Sequence, residues 1–302
     1  MGNTIVEKNT DQVIEARAKK RPSQWRFFTN QLLKSRTGFL GAIIIVILLV
    51  LGIGGHWIAP YDPELADFSK KLLPPMTDGH ILGTDQLGRD ILSRIIYGTR
   101  VSLIIGTATV IFAGIIGTIV GIIAGYFRGW MDAVLMRIVD VMLAFPFILL
   151  VLVINAVIGT GLRNIIISLV IGGWVIYARV VRSEVLALRE KEFILSCVAT
   201  GVPRREIILK HIVPNLFTPI IVLSSLQIAT FIIAEASVSF LGFGVQPPTP
   251  AWGNMLNEGK DYIYSAWWLI TFPGVAIVIT ALGVNMFGDW LRDVLDPELK
   301  GD

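Results

Sequence analysis

The chain has 302 residues, 54% of them hydrophobic and only 16% charged, against about 25% charged in soluble domains. The charges are confined to particular segments, which excludes a soluble globular protein and leaves an integral membrane protein. The formal net charge of +3 carries little information, and no nucleic-acid partner is expected.

Six stretches lack formal charge: 37–61, 101–127, 141–162, 164–178, 211–234 and 262–288. About 20 apolar residues cross roughly 30 Å of hydrocarbon as a helix, and five runs meet that length. The fourth run is short, and extends to 164–185 if Arg179 and Arg182 snorkel toward the headgroups. Barrel strands would alternate apolar and polar residues, whereas Ala42 to Leu49 is uniformly apolar. The expected fold class is all-α, a polytopic membrane protein with six transmembrane helices. The spans are placed at about 37–60, 101–127, 137–159, 164–185, 214–236 and 265–289.

Residues 1–36 precede the first span and hold eight Lys/Arg. No cleavable signal peptide is evident there. The positive-inside rule places both termini in the cytoplasm, including the tail 294–302. The loops 60–100 and 238–263 then face outside. The 128–137 connection and the charged island 179–210, with seven Lys/Arg and four Glu, face inside. Trp57, Trp130, Trp252, Trp267, Trp268 and Trp290 fall near span ends, as interfacial anchors do.

Within the first outer loop, residues 82–102 read as an amphipathic helix lying on the outer membrane surface. Thr84 is its expected N-cap. Asp85 with Arg89, and Asp90 with Arg94, are i,i+4 pairs in the favourable order. Gly88 and Ser93 belong to the same stretch. Its role is either support for the mouth of a path, or a gate and docking face.

Span two carries Gly117, Gly121 and Gly125, a small-residue stripe for close helix contact within the subunit or against a second one. Pro146, Pro219 and Pro273 each remove a backbone hydrogen bond within a span and favour kinks. Arg137 and Asp140 are expected to pair. Asn155 and Asn285 are candidates for bonds across helices. Glu235 ends a 24-residue uncharged run. Membrane carboxylates usually face a cavity or partner, so Glu235 is the candidate pathway residue, meeting a substrate ammonium group at the outer mouth. An interfacial Glu in water is the alternative.

The island reads as two short helices broken at Gly201-Val202-Pro203. Its segment 187–213 resembles the coupling loop of ABC importer permeases, whose pattern is Glu-Ala-Ala, three residues, Gly, nine residues, Ile-x-Leu-Pro. Gly201 and Pro214 match at the required separation. Val213 replaces Leu, His211 replaces Ile, and Leu195-Ser196-Cys197 replaces Glu-Ala-Ala, so the leading Glu is missing. Residues 82–102, the Pro-rich 239–253 segment and the 287–297 closing segment resemble the C-type permease subunit of the dipeptide/oligopeptide branch. The resemblance runs from about residue 30 to the end.

That resemblance implies the type I ABC importer permease fold in a bacterial cytoplasmic membrane. It implies a homologous second permease, two ABC ATPases and an extracytoplasmic substrate-binding protein as partners. Glu192, Leu195, Ser196, Cys197, Ala199, Thr200, Gly201, Arg204, Arg205 and Pro214 are the expected ATPase-coupling residues. The chain lacks a phosphate-binding Gly-x-x-x-x-Gly-Lys-Ser/Thr loop, a metal-ligand cluster and a hydrolase motif. No cofactor is expected here; ATP and Mg would sit on the partner ATPases. Peptides are the expected cargo, with nickel chelates or glutathione as alternatives in the same family. An ATP-independent secondary transporter and a membrane scaffold are the rivals from other classes. Cys197 is the only cysteine, so no intrachain disulfide can form.

Overall fold

The computed structural model describes residues 24–295, with side-chain surroundings from residue 28 onward. The basic residues up to position 21 and residues 296–302, including Pro297, lie outside the described residues. Regular structure among the described residues is helical, with two isolated β-bridges in the first long loop. A short helix, α1 (Gln24–Lys34), precedes the first span, within a segment where none was expected. The first span, α2 (Arg36–Ile58), begins at Ser35, whose hydroxyl accepts the Gly38 N–H at 3.1 Å. This satisfies one of the four donors that a helix start leaves open.

The second span, α3 (Ile91–Phe127), is one uninterrupted helix of 37 residues. The remaining elements are α4 (Gly129–Leu143), α5 (Phe147–Ile158), α6 (Leu162–Arg189), α7 (Glu192–Ala199), α8 (Arg204–Ile207), α9 (Val213–Phe240), α10 (Trp252–Gly259) and α11 (Trp268–Leu295). A single π-helical turn, Ile208–Ile212, joins α8 to α9. Pro219 and Pro273 lie inside α9 and α11 without ending them.

Glycine lets these helices approach closely, because lipid supplies no hydrophobic drive between them and contact must come from packing. On α2 the buried residues are Gly38, Gly41, Leu48, Gly52 and Gly55. A Cβ added at Gly41 would lie 2.7 Å from the Phe287 nitrogen of α11, and one at Gly52 would lie 2.9 Å from the Leu103 side chain of α3. Span one is therefore wedged between the second and last spans. The Gly117, Gly121 and Gly125 stripe of α3 packs on α6: an added Cβ at Gly121 would meet Ala178 O and Val181 Cβ, each at 2.7 Å. The stripe is thus an internal packing face, not one held for a second subunit.

The third predicted span, 137–159, is not one helix. α4 and α5 meet at a 90° bend across residues 144–146. Pro146 has no N–H to donate and starts α5 instead of continuing α4. Helices of 15 and 12 residues reach only about 22 and 18 Å, so neither alone crosses the bilayer core. The pair nevertheless runs from one end of the bundle to the other. At the start of α4, Arg128 pairs with Glu190 at 3.1 Å beside the charged island. Beyond α5, the Gly161 N–H donates to Gly244 O at 3.0 Å in the loop after α9. With the five other helices long and apolar enough to span, this makes six crossings.

Two ion pairs hold α4 against α6. Arg182 binds Asp132 through two donors, at 2.5 and 2.6 Å. Arg179 binds Asp140 at 2.7 Å. Arg179 and Arg182 thus have protein carboxylates as partners instead of headgroups. The expected Arg137–Asp140 pair gives way to Asp140–Arg179, because the bent helix turns its acidic face toward α6.

Candidate functional site: the outer brace and the inner hairpin

Two specialised segments lie at opposite ends of the bundle. At the end that carries the 60–90 loop, residues 82–90 form turns, and helix begins only at Ile91. The expected amphipathic surface helix is therefore corrected: its second half is the first part of span two. Thr84 caps nothing. Its hydroxyl donates to Lys70 O at 2.5 Å and accepts the Leu73 N–H at 2.9 Å. Asp90 is the real N-cap, accepting from the Ser93 N–H and hydroxyl at 2.8 and 2.7 Å. Its other oxygen contacts His80 Nδ1 at 2.9 Å. Ser93 Oγ in turn accepts the Tyr61 N–H at 3.1 Å.

The expected Asp85–Arg89 pair forms, but across a turn closed by Gly88 at φ +80. Asp85 Oδ1 accepts the Leu87 and Arg89 N–H groups at 2.8 and 2.9 Å, while Oδ2 binds Arg89 Nε at 2.6 Å and Arg94 Nη1 at 2.5 Å. Arg94 goes to Asp85, not to Asp90, because Asp90 is committed to capping. Glu258 of α10 completes the set, 2.8 Å from Arg89 and 3.0 Å from Arg94. Two arginines and two carboxylates thus form a closed ring, the arrangement in which burying charge is tolerable. Thr84, Asp85, Gly88, Arg89, Asp90, Ser93 and Arg94 are all buried. In this conformation these side chains present no open face of their own. They brace the end of the bundle that carries the 60–90 loop.

Two tryptophans complete the brace. Trp252 Nε1 donates to Ile95 O at 3.0 Å, and Trp268 Nε1 donates to Thr84 O at 3.1 Å. Both rings lie in the core beside Leu48, Ile91 and Ile232. Trp252, Trp268 and Trp290 are buried, so the expectation of interfacial anchors is corrected for them. Trp57, Trp130 and Trp267 are exposed. Each buried indole finds an acceptor or an aromatic neighbour before it finds the membrane surface.

Glu235 has no exposed surface in this conformation. One of its oxygens accepts the Ser239 hydroxyl at 2.6 Å, and that hydroxyl oxygen accepts the Val245 N–H at 3.3 Å. Its second oxygen has no protein partner among the described residues. In this conformation the carboxyl is enclosed within the subunit and is not set in interfacial water. Span five brings it inward because α9 continues to Phe240, five residues beyond it. Asn155 bonds Val151 O of its own helix at 3.0 Å, and Asn285 is exposed.

At the other end, α7, α8 and the π-helical turn form a hairpin. Its inner face is apolar: Ile194, Ile207 and Ile212 pack with Val181, Val185, Leu188 and Leu216. Gly201 reverses the chain at φ +78, a region an L side chain rarely adopts. Thr200 precedes it and returns its hydroxyl to Ser196 O at 2.9 Å. Arg189 donates to Tyr126 O and stacks over the Tyr126 ring, so the hairpin is fastened to the end of span two. Cys197 is half-buried, with Sγ 3.8 Å from His211 Nε2.

The outward side of the hairpin is different. Glu192, Leu195, Ser196, Ala199, Thr200, Gly201, Arg204, Arg205 and Pro214 are exposed. Leu195 and Val198 are 54% and 57% exposed on a helix of eight residues. These two apolar side chains are rimmed by the charges of Glu192, Arg204 and Arg205. Among the described residues no group of three or more His, Cys, Asp or Glu is placed to hold a metal ion.

Sequence reasoning missed Glu258 and His80. Glu258 lies 169 residues from its partner Arg89, and no local spacing signals such a contact. His80 carried a faint signal, as a lone histidine just before an acid-rich turn.

The family model described as "N-terminal TM domain of oligopeptide transport permease C" matches residues 23–75. The chain is 43% identical over 278 residues to the dipeptide transport system permease protein DppC of Alkalihalophilus pseudofirmus, covering 92% of this chain and 91% of that one. It is 41% identical over 294 residues to the glutathione transport system permease protein GsiD of Escherichia coli O157:H7, covering 96% and 97%. A chain of the inward-facing MetNI methionine ABC transporter shares the fold, with TM-score 0.56 at 20% identity over 68% of this chain and 98% of that one. The model described as "Binding-protein-dependent transport system inner membrane component" matches residues 117–301. By these matches the helical bundle is a permease subunit, and the chain belongs to the family of binding-protein-dependent transport system inner membrane components.

Proposed function

We propose that this chain is one of two transmembrane subunits of an ATP-driven peptide importer in a bacterial inner membrane. The observation that carries the reading is the exposed hairpin at Glu192–Pro214, apolar at Leu195 and Val198, fastened to spans two, four and five. A cytoplasmic ATPase gripping that hairpin would move three spans together. ATP binding closes two ATPases, the hairpin transmits the motion, and the path opens outward. ATP and Mg belong to those partners. An extracytoplasmic binding protein delivers cargo to the braced end. The homologous second permease supplies the other half of the path.

Peptide cargo is supported by identity to a dipeptide permease over most of both chains. Glutathione is the second reading, supported by comparable identity to a glutathione permease. It is itself a tripeptide, and the binding protein would set the choice.

The test is uptake by the assembled complex of two permeases and two ATPases in liposomes, with binding protein and labelled dipeptide supplied outside. Gly201→Pro, or removal of 196–204, should abolish ATP-dependent uptake while the subunit remains in the complex. Unchanged uptake would refute the role of the hairpin.

A further inference from the structure

Arg100 lies in span two on a stripe that faces away from the protein. Helical neighbours on that side, Ile104 and Ile111, are 42% and 50% exposed. The opposite stripe, Val101, Ile105 and Thr109, is buried. Arg100 is exposed and has no carboxylate within ion-pair distance among the described residues, whereas Arg89, Arg94, Arg179 and Arg182 each have one. An unpaired arginine on an apolar helix face is costly, and such groups take a partner.

The depth of Arg100 is set by span one. A Cβ added at Gly52 would lie 3.7 Å from Arg100 Cα, and one at Gly55 would lie 3.3 Å from Ile96. Gly52 is six residues before the end of α2 at Ile58, so Arg100 sits about 9 Å below that end. Its long side chain reaches the headgroup level from there. Above it, His56 Nδ1 and the Tyr97 hydroxyl are 3.1 Å apart and form a polar rim. Below it runs a groove of about 630 Å³ lined by Leu49, Ile53, Leu103, Ile104, Ile111 and Phe112. That volume lies within the roughly 300–1,000 Å³ typical of ligand sites. One cation, one polar rim and one long apolar trough, in that vertical order, complement an anionic amphiphile.

We propose that the groove between spans one and two holds a phosphatidylglycerol molecule, its phosphate on Arg100 and an acyl chain along Leu49, Ile53 and Ile104. A guanidinium matches phosphate geometry with two donors. A zwitterionic lipid brings a second cation close to Arg100 and His56 and fits less well.

The test uses the full complex, stripped of lipid in detergent and titrated with phosphatidylglycerol or phosphatidylcholine, with bound lipid counted by native mass spectrometry. Phosphatidylglycerol should be retained preferentially, and Arg100→Gln should weaken its binding about tenfold or more, the size of a lost charged hydrogen bond. Arg100→Lys keeps the charge but loses the two-donor fit, and should weaken binding less than Arg100→Gln does. Equal retention of both lipids, or no change in Arg100→Gln, would overturn the proposal. Should Arg100→Gln fail to assemble, a photoreactive phosphatidylglycerol analogue on the wild-type complex decides. Labels on residues 49–56 and 97–112 support the site, and labels elsewhere overturn it. Disulfide capture of Ile53→Cys, in a Cys197→Ser background, by a cysteine on a neighbouring subunit would show the groove to be a protein interface and overturn it as well.

Discussion

Arg89 and Glu258 are 169 residues apart in the chain, and their side chains meet at 2.8 Å. The contact joins the turn before span two to the short helix before span six. With Asp85 and Arg94 it closes a ring in which each charge faces an opposite one. Removing one member leaves its partner charged and buried. Arg94→Ala should therefore cost about 3–5 kcal/mol, read as a lower thermal midpoint of the purified complex. Wild-type stability in that variant would show that the ring is not a brace.

The clamp between α4 and α6 is a weaker device, because Arg182 is about a third exposed. Solvent screening limits such pairs. A double-mutant cycle on Arg182→Gln and Asp132→Asn should show coupling on the order of 1 kcal/mol. Additive effects would mean that apolar packing alone holds the bent pair in place.

Gly121 has no room for a methyl group against Ala178 O and Val181. Because one obstacle is backbone, relief requires the helices to separate. Gly121→Ala should destabilise the subunit by about 1–3 kcal/mol, as overpacking does. Gly274, with nothing near its side, serves as the control and should tolerate Ala with little change.

Six crossings with a cytoplasmic N-terminus place residues 130 and 200 on one side and residues 160 and 243 on the other. Single cysteines at these positions, in a Cys197→Ser background, can be probed with an impermeant thiol reagent. The expected pattern is labelling of 160 and 243 from outside and of 130 and 200 only after permeabilisation. Labelling of 130, 160 and 243 from one side, with 200 on the other, would make the bent pair a re-entrant loop.

Much of this architecture is legible in the sequence because a bilayer imposes a length and a composition on each crossing. The runs at 37–61 and 101–127 therefore lie close to α2 and within α3. The hairpin was legible from Gly201 and Pro203, where backbone chemistry is local. Other features escaped because long-range contacts decide them. Thr84 and Asp90 are both good caps; Asp90 prevails because His80 and Ser93 converge on it. Asp140 finds Arg179 instead of Arg137 because a bend at Pro146 reorients α4. Trp252 and Trp268 look like interfacial anchors by position, yet neighbouring helices bury them. Glu235 looks like a mouth residue until the extra turn to Phe240 and the returning loop at Val245 enclose it.

The central claim is that the hairpin after the fourth crossing is held by an ATPase. Thr200 is the better probe, being exposed, whereas Cys197 turns half inward toward His211. The direct measurement is disulfide crosslinking of Thr200→Cys, in a Cys197→Ser background, to cysteines placed along the cleft of the partner ATPase. The account predicts a strong crosslink whose yield changes when ATP is added. A hairpin that never crosslinks to the ATPase, in a complex that still imports its cargo, would contradict it.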